Sequence, residues 1–183
     1  MDEKDRAYAE KYFSTIKKVI QKYAPNHLYL GCRFTRNFQA YQYVAEVAGK
    51  YVDVLSVNIY SPFTRKEMDA WYQVAQKPIL IGEHHVPPQT SRALLPRYPA
   101  FSLDKRDEML KSYLNNWISY PYAVGSHWYQ YVDQEIAGRS DGGENQPVGL
   151  VTVTDQLDQQ LALVFYEFAK TIPNKYLINT YEN

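Results

Sequence analysis

With 183 residues and 20 basic against 20 acidic side chains, the chain is neutral at pH 7, so it encodes no general attraction for nucleic acid or an anionic membrane. Its single cysteine, Cys32, excludes an internal disulfide, and four scattered histidines form no Cys/His cluster of zinc spacing. The length suits one domain burying about 70% of its unfolded surface, no apolar run approaches the ~20 residues of a membrane span, and 18 tyrosines with 3 tryptophans raise aromatics to 15%.

Tyr8, Tyr12, Phe13, Ile16, Val19, Ile20 and Tyr23 recur at helical spacing, and Ala24-Pro25-Asn26 ends that helix before a strand over His27 to Phe34. Tyr41 to Val47 carries a second helical face, and after Gly49 the segment Val52 to Tyr60 reads as the next strand. Arg65 to Gln76 predicts a helix with Met68, Trp71, Tyr72 and Ala75 as its buried stripe, followed by a strand over Lys77 to Glu83 that is apolar until it meets Glu83. A Pro-rich loop over Val86 to Leu103 comes next, and loops of that length are uncommon unless they have a function. A helix over Asp104 to Tyr120, a strand over Ala123 to Val132, a Gly-rich loop over Gly138 to Gln146, a short Val148 to Val153 segment and a helix over Gln156 to Thr171 complete the pattern.

Repeated alternation of helix and strand calls for right-handed crossovers and a parallel sheet. Four strands make a small open sheet or half of an eight-stranded barrel, since a complete barrel takes about 250 residues. No linker or low-complexity segment divides residues 1–183, which read as one domain. No glycine-rich phosphate loop follows any strand, which argues against a nucleotide-binding doubly wound fold.

A parallel sheet delivers its strand ends to one rim, where the catalytic groups of such folds sit. That rim collects Arg33, Asn58, Tyr60, Glu83, one histidine of the adjacent pair, His127 and Trp128. His84 and His85 point to opposite faces of a strand, so only one can face a site, and His85 is taken as that one. A carboxylate, an arginine, an amide, a phenol and an indole are the groups needed to hold and hydrolyse a sugar. In a retaining glycosidase one carboxylate attacks the anomeric carbon while a second carboxyl group about 5 Å away protonates the leaving oxygen. Glu83 is the candidate nucleophile, and Tyr60 the group that holds one of its oxygens and keeps it ionised. Each has a structural alternative: a surface strand cap for Glu83, a core layer for Tyr60, packing for Trp128 and strand termination for Asn58. Asp141-Gly-Gly-Glu-Asn145 lacks the oxygen spacing and closing glutamate of an EF-hand, so Glu144 is assigned to sugar contact or turn chemistry rather than to a metal.

Taken together, His27-Leu-Tyr-Leu-Gly-Cys-Arg-Phe34, Val52-Asp-Val-Leu-Ser-Val-Asn-Ile-Tyr60, Pro78-Ile-Leu-Ile-Gly-Glu-His-His85, Gly125-Ser-His-Trp-Tyr-Gln-Tyr-Val-Asp-Gln134 and Asp141-Gly-Gly-Glu-Asn145 resemble a known family. They are similar to the C-terminal half of the catalytic barrel of β-agarase-like glycoside hydrolases, the family-50 type of the clan-A TIM barrels. The resemblance covers nearly the whole chain. It implies an α/β fold made of strands five to eight of a (β/α)8 barrel with their helices, and retaining hydrolysis of β-linked galactose units in agarose-like polysaccharide. It places the nucleophile of the seventh strand at Glu83, the tyrosine of the sixth strand that contacts it at Tyr60, and the tryptophan flooring the sugar site at Trp128. Arg33, Asn58, His85, His127 and Glu144 complete the expected substrate-binding set, with no cofactor or metal.

The chain departs from that family pattern in ways that bear on activity. The family's acid/base glutamate follows an asparagine at the end of the fourth strand, and no Asn-Glu in such a context precedes the first strand here. His84 stands where the family often has an aromatic residue, and Asp141-Gly-Gly-Glu144 carries an extra glycine. A half barrel has two raw strand edges, which call for a separately encoded N-terminal half, self-association through the open edges, or an origin as the truncated product of a longer gene. The expectation is a chain that supplies the nucleophile half of a site and is inactive alone. The alternatives are a carbohydrate-binding remnant without turnover and a hydrolase of another β-glycan. The charged opening Met1 to Arg6 lacks the features of a signal peptide, which leaves localisation open, a secreted or periplasmic parent being expected to carry its signal upstream.

Overall fold

A computed structural model describes residues 3–89, 99–140 and 142–177. Part of the Pro-rich loop and the whole of Asp141 therefore lie outside the described residues. The elements run α1 Glu3–Tyr23, β1 Arg33–Thr35, α2 Phe38–Gly49, β2 Leu55–Asn58, α3 Arg65–Ala75, β3 Ile79–His84, α4 Leu103–Ile118, β4 Ala123–Trp128 and α5 Gln159–Leu177. The strands form one four-stranded sheet in the order β1-β2-β3-β4, with β1/β2 and β2/β3 paired in parallel. Strand order equals chain order and a helix separates each strand from the next, which is the topology of half a (β/α)8 barrel.

The chain divides into two compact units, Met1–His84 with Ile118–His127, and His85–Trp117 with Trp128–Asn183. In the first, Leu55, Val57 and Ile59 are almost fully buried and alternate with Ser56, Asn58 and Tyr60, so β2 has one phase for the core and one for the inner face of the sheet. Trp71 and Met68 of α3 are buried, and Phe34 and Phe38 pack on the Trp71 ring at 5.7 and 5.0 Å. Helix α3 starts at a capping box, in which Thr64 accepts from the Glu67 N–H and Glu67 accepts from the Thr64 N–H. It stops at Gln76, whose φ of 51° breaks the helical repeat. The close approach of α2 to α3 depends on Gly49, where a Cβ would lie 2.3 Å from the Ala75 carbonyl oxygen.

In the second unit Val86, Ala100, Leu110, Leu114, Leu161 and Val164 form the core. Arg106 is buried beside them, and its guanidinium bonds Asp107 at 2.9 Å and both carboxylate oxygens of Asp158. Asp158 also caps α5 by accepting from the Leu161 N–H at 2.9 Å. This cap explains why α5 begins at Gln159 rather than at the predicted Gln156.

The strands are shorter than their apolar patterns suggest. The predicted His27 to Phe34 strand pairs only over Arg33–Thr35, because Gly31 at φ +69° interrupts the extended run, and Leu28 and Leu30 are left exposed. Arg33 thus opens β1 instead of following it. The Val148 to Val153 segment forms only isolated bridges, from Val151 to Val132 and to Leu157.

Candidate active site

Glu83 leaves β3 with both carboxylate oxygens engaged. The Arg33 guanidinium donates to Oε1 at 2.6 Å, and the Tyr60 hydroxyl donates to Oε2. Arg33 comes from the start of β1 and Tyr60 lies two residues beyond β2, so three successive strands converge on one carboxylate. The pair is water-accessible, with side-chain exposures of 50% for Arg33 and 21% for Glu83. Asn58 ends β2 directly opposite Glu83 in the ladder, and its Oδ1 is buried without a hydrogen-bond partner among the described residues. Sequence reasoning singled out these four residues, and the fold brings them together.

A ring of polar contacts braces the loops around this cluster. Arg36, just past β1, donates to the Ser61 hydroxyl and to Glu67 Oε1 at 2.6 Å. Burial pushes the Glu67 carboxyl up, but the Thr64 N–H and the Arg36 guanidinium outweigh it, and the net shift is below the usual glutamate value. Neither Arg36 nor Ser61 was expected from the sequence. The available signal was a cation and a hydroxyl one to three residues from strand ends.

The remaining candidates are placed differently. His84 is buried at 1% exposure, which leaves His85 as the accessible member of the pair. His85 Nδ1 lies 2.8 Å from the Tyr129 carbonyl oxygen, and because a carbonyl only accepts, Nδ1 carries the proton there. The His85 ring centroid is 6.4 Å from Trp128 and 6.1 Å from Tyr129, so the three rings form one aromatic group in the second unit. Trp128 itself is half-buried: its indole N–H donates to the Val148 carbonyl at 2.7 Å and its ring meets Phe165 edge-on. Glu144 is held by Gln134 Nε2 at 3.0 Å and by Arg139 at 3.6 Å, contacts that fasten its own loop. His127 is exposed on β4. Among the described residues no three His, Cys, Asp or Glu side chains group as metal ligands would.

No family model matches the chain. It is 38% identical over 149 residues to Beta-agarase B of Vibrio sp. (strain JT0107), a match covering 79% of this chain and 15% of that relative. A solved structure of an exo-β-agarase superposes with a TM-score of 0.83 at 37% identity, covering 94% of this chain and 23% of the other. The agarase AgWH50C superposes with the same TM-score, 0.83, at 33% identity over 93% of this chain and 26% of its own. The chain therefore spans between about a seventh and a quarter of the length of the relatives it matches. Fold and sequence likeness agree: over most of its length the chain is similar to β-agarase-like glycoside hydrolases of the family-50 type, and its fold matches a portion of their solved structures.

Proposed function

We propose that this chain carries the nucleophile half of a retaining glycosidase site for β-galactosidic linkages in agarose-like polysaccharide. The observation that carries the reading is Glu83, held at a strand end by Arg33 on one oxygen and Tyr60 on the other. A carboxylate oxygen accepts two hydrogen bonds, so one donor on each oxygen fixes the group and leaves a lone pair on each for attack. In the first step a Glu83 oxygen bonds the anomeric carbon as the bond to the leaving oxygen breaks, and a carboxylic acid supplied from outside this sequence protonates that oxygen. In the second, the resulting carboxylate takes a proton from water, the hydroxide oxygen bonds the anomeric carbon, and Glu83 departs.

Tyr60 and Arg33 hold the nucleophile in line, and Asn58 offers an amide to a sugar hydroxyl. His85, His127, Trp128 and Glu144 are assigned to substrate contact, the aromatic group suiting the apolar face of a galactose ring. The substrate class rests on the agarases named above. The complementing half docks along β1, which among the described residues pairs only with β2 and so has an edge open to a further strand.

The test is hydrolysis of agarose oligosaccharides by the chain combined with a barrel half that bears an Asn-Glu acid/base. Glu83→Gln is expected to abolish turnover, and Glu83→Gly with added azide to release an α-galactosyl azide. Undiminished turnover by Glu83→Gln would exclude the nucleophile role.

A further inference from the structure

We infer that Gly82 is a positioning residue for Glu83: it is an extra residue in β3 that turns the carboxylate from the core phase of the strand onto the inner face of the sheet. The functional meaning of this inference rests on the reading of Glu83 as nucleophile, whereas its geometry does not. Leu55 pairs with Ile79, Ser56 with Leu80 and Val57 with Ile81, but Asn58 pairs with Glu83, and the register shifts between Val57 and Asn58. Two residues of β3, Gly82 and Glu83, thus stand against one step of β2, which is a β-bulge.

The phase of the strand makes the bulge necessary. Ile79 and Ile81 are both fully buried, opposite the buried Leu55 and Val57. Strict alternation would put Glu83 in their phase and its charge into the apolar core, where an unpaired carboxylate is not tolerated. With the bulge, Gly82 and Glu83 share one face. A Cβ built on Gly82 would point at Ser56 Oγ (2.5 Å), Asn58 Oδ1 (2.7 Å) and Arg33 Cδ (3.1 Å), and Arg33 is also the partner of Glu83. At this bulge a side chain on residue 82 would meet those three atoms, and glycine leaves that face to Glu83. The glycine is required for room, because Ser56 Oγ and Asn58 Oδ1 are buried atoms that fill the space a methyl group would need.

The experiment reads the aim of Glu83 without any reaction. The whole chain is labelled with carbon-13 at the tyrosine ring carbon that bears the hydroxyl, and the Tyr60 resonance is followed in pairs differing by Glu83→Gln. In the natural sequence that substitution is expected to displace the Tyr60 resonance, since the two side chains are bonded. In Gly82→Ala the displacement is expected to vanish, and truncating the two obstructing side chains (Ser56→Gly, Asn58→Gly) in the same variant is expected to restore it. An unchanged displacement in Gly82→Ala would overturn the inference. So would unfolding of Gly82→Ala that the two truncations fail to relieve, because the clash named here would then not be its cause. A glycine needed only for stability would change the melting temperature without uncoupling Tyr60 from Glu83. Covalent capture of a galactosyl group by Glu83 is read separately, so the nucleophile role can fail while the aim of the side chain stands.

Discussion

Tyr60 donates its phenolic hydrogen to Oε2 of Glu83 from a position two residues past the end of β2, across 23 residues of sequence. The bond takes one lone pair of the carboxylate and, on the nucleophile role proposed for Glu83, thereby fixes which one would face a sugar. A hydrogen bond to a charged acceptor contributes about 1.5–3 kcal/mol, which corresponds to about 10- to 150-fold in rate. Tyr60→Phe in the complemented site is expected to slow glycosyl-enzyme formation within that range. Pre-steady-state kinetics with an activated β-galactoside measures it.

Lys17 and Asp53 supply a pH dependence that can be checked away from the site. Lys17 Nζ lies 2.9 Å from both Asp53 oxygens, and the Tyr29 N–H donates to Oδ2 at 2.7 Å. The lysine bond first, and then the backbone N–H, hold the Asp53 carboxyl below its usual value. A carboxyl lowered in the folded state adds stability above its unfolded pKa of about 3.9 and loses it as pH falls through the folded value. Lys17→Met is therefore expected to lower the melting temperature at pH 7. The gap to the natural sequence should narrow below about pH 3.9 and close once native Asp53 is protonated, as calorimetry across pH would record.

Asp158 joins two roles that substitution can separate. Its oxygens pair with the buried Arg106 and cap α5 through the Leu161 N–H. Burial raises its carboxyl and the Arg106 hydrogen bond lowers it, with a net shift downward. Removing one partner of a buried ion pair costs about 3–5 kcal/mol, with the lower end expected here because Asp107 remains on Arg106 Nε at 3.0 Å. Asp158→Ala should lose that and the cap, while Asp158→Asn keeps a capping oxygen and should be milder by about 1 kcal/mol. Urea unfolding of the two variants distinguishes the contributions.

Much of the site was legible because strand ends announce themselves. A carboxylate after four apolar residues, a tyrosine after an alternating run and an arginine in an otherwise apolar segment are unusual placements, and Glu83, Tyr60 and Arg33 meet in the fold. The limits of β1 were not legible, since the run from His27 to Phe34 looks uniformly extended, and only the left-handed conformation of Gly31 shows where pairing begins. Gly82 was also passed over. Read as one more small residue in a buried strand, it conceals that plain alternation from Ile79 aims Glu83 the wrong way, and a glycine inside a strand is the signal that such a bulge leaves. Trp128 illustrates a third case: an aromatic at a strand end suggests a sugar platform, while its N–H bond to Val148 and its packing on Phe165 also commit it to the core. No one-dimensional pattern separates those two uses.

The assignment of Glu83 is tested most directly by trapping. A β-galactosyl fluoride with fluorine in place of the hydroxyl beside the anomeric carbon needs no proton to depart, so Glu83 can bond that carbon as fluoride ion leaves, and the electron-withdrawing substituent slows release. Peptide mapping of the chain after incubation with this reagent, together with the complementing barrel half, is predicted to find one galactosyl adduct, on the peptide that contains Glu83, and none in Glu83→Gln. An adduct on a different carboxylate, or turnover of agarose oligosaccharides with inverted products and no adduct at all, would contradict it.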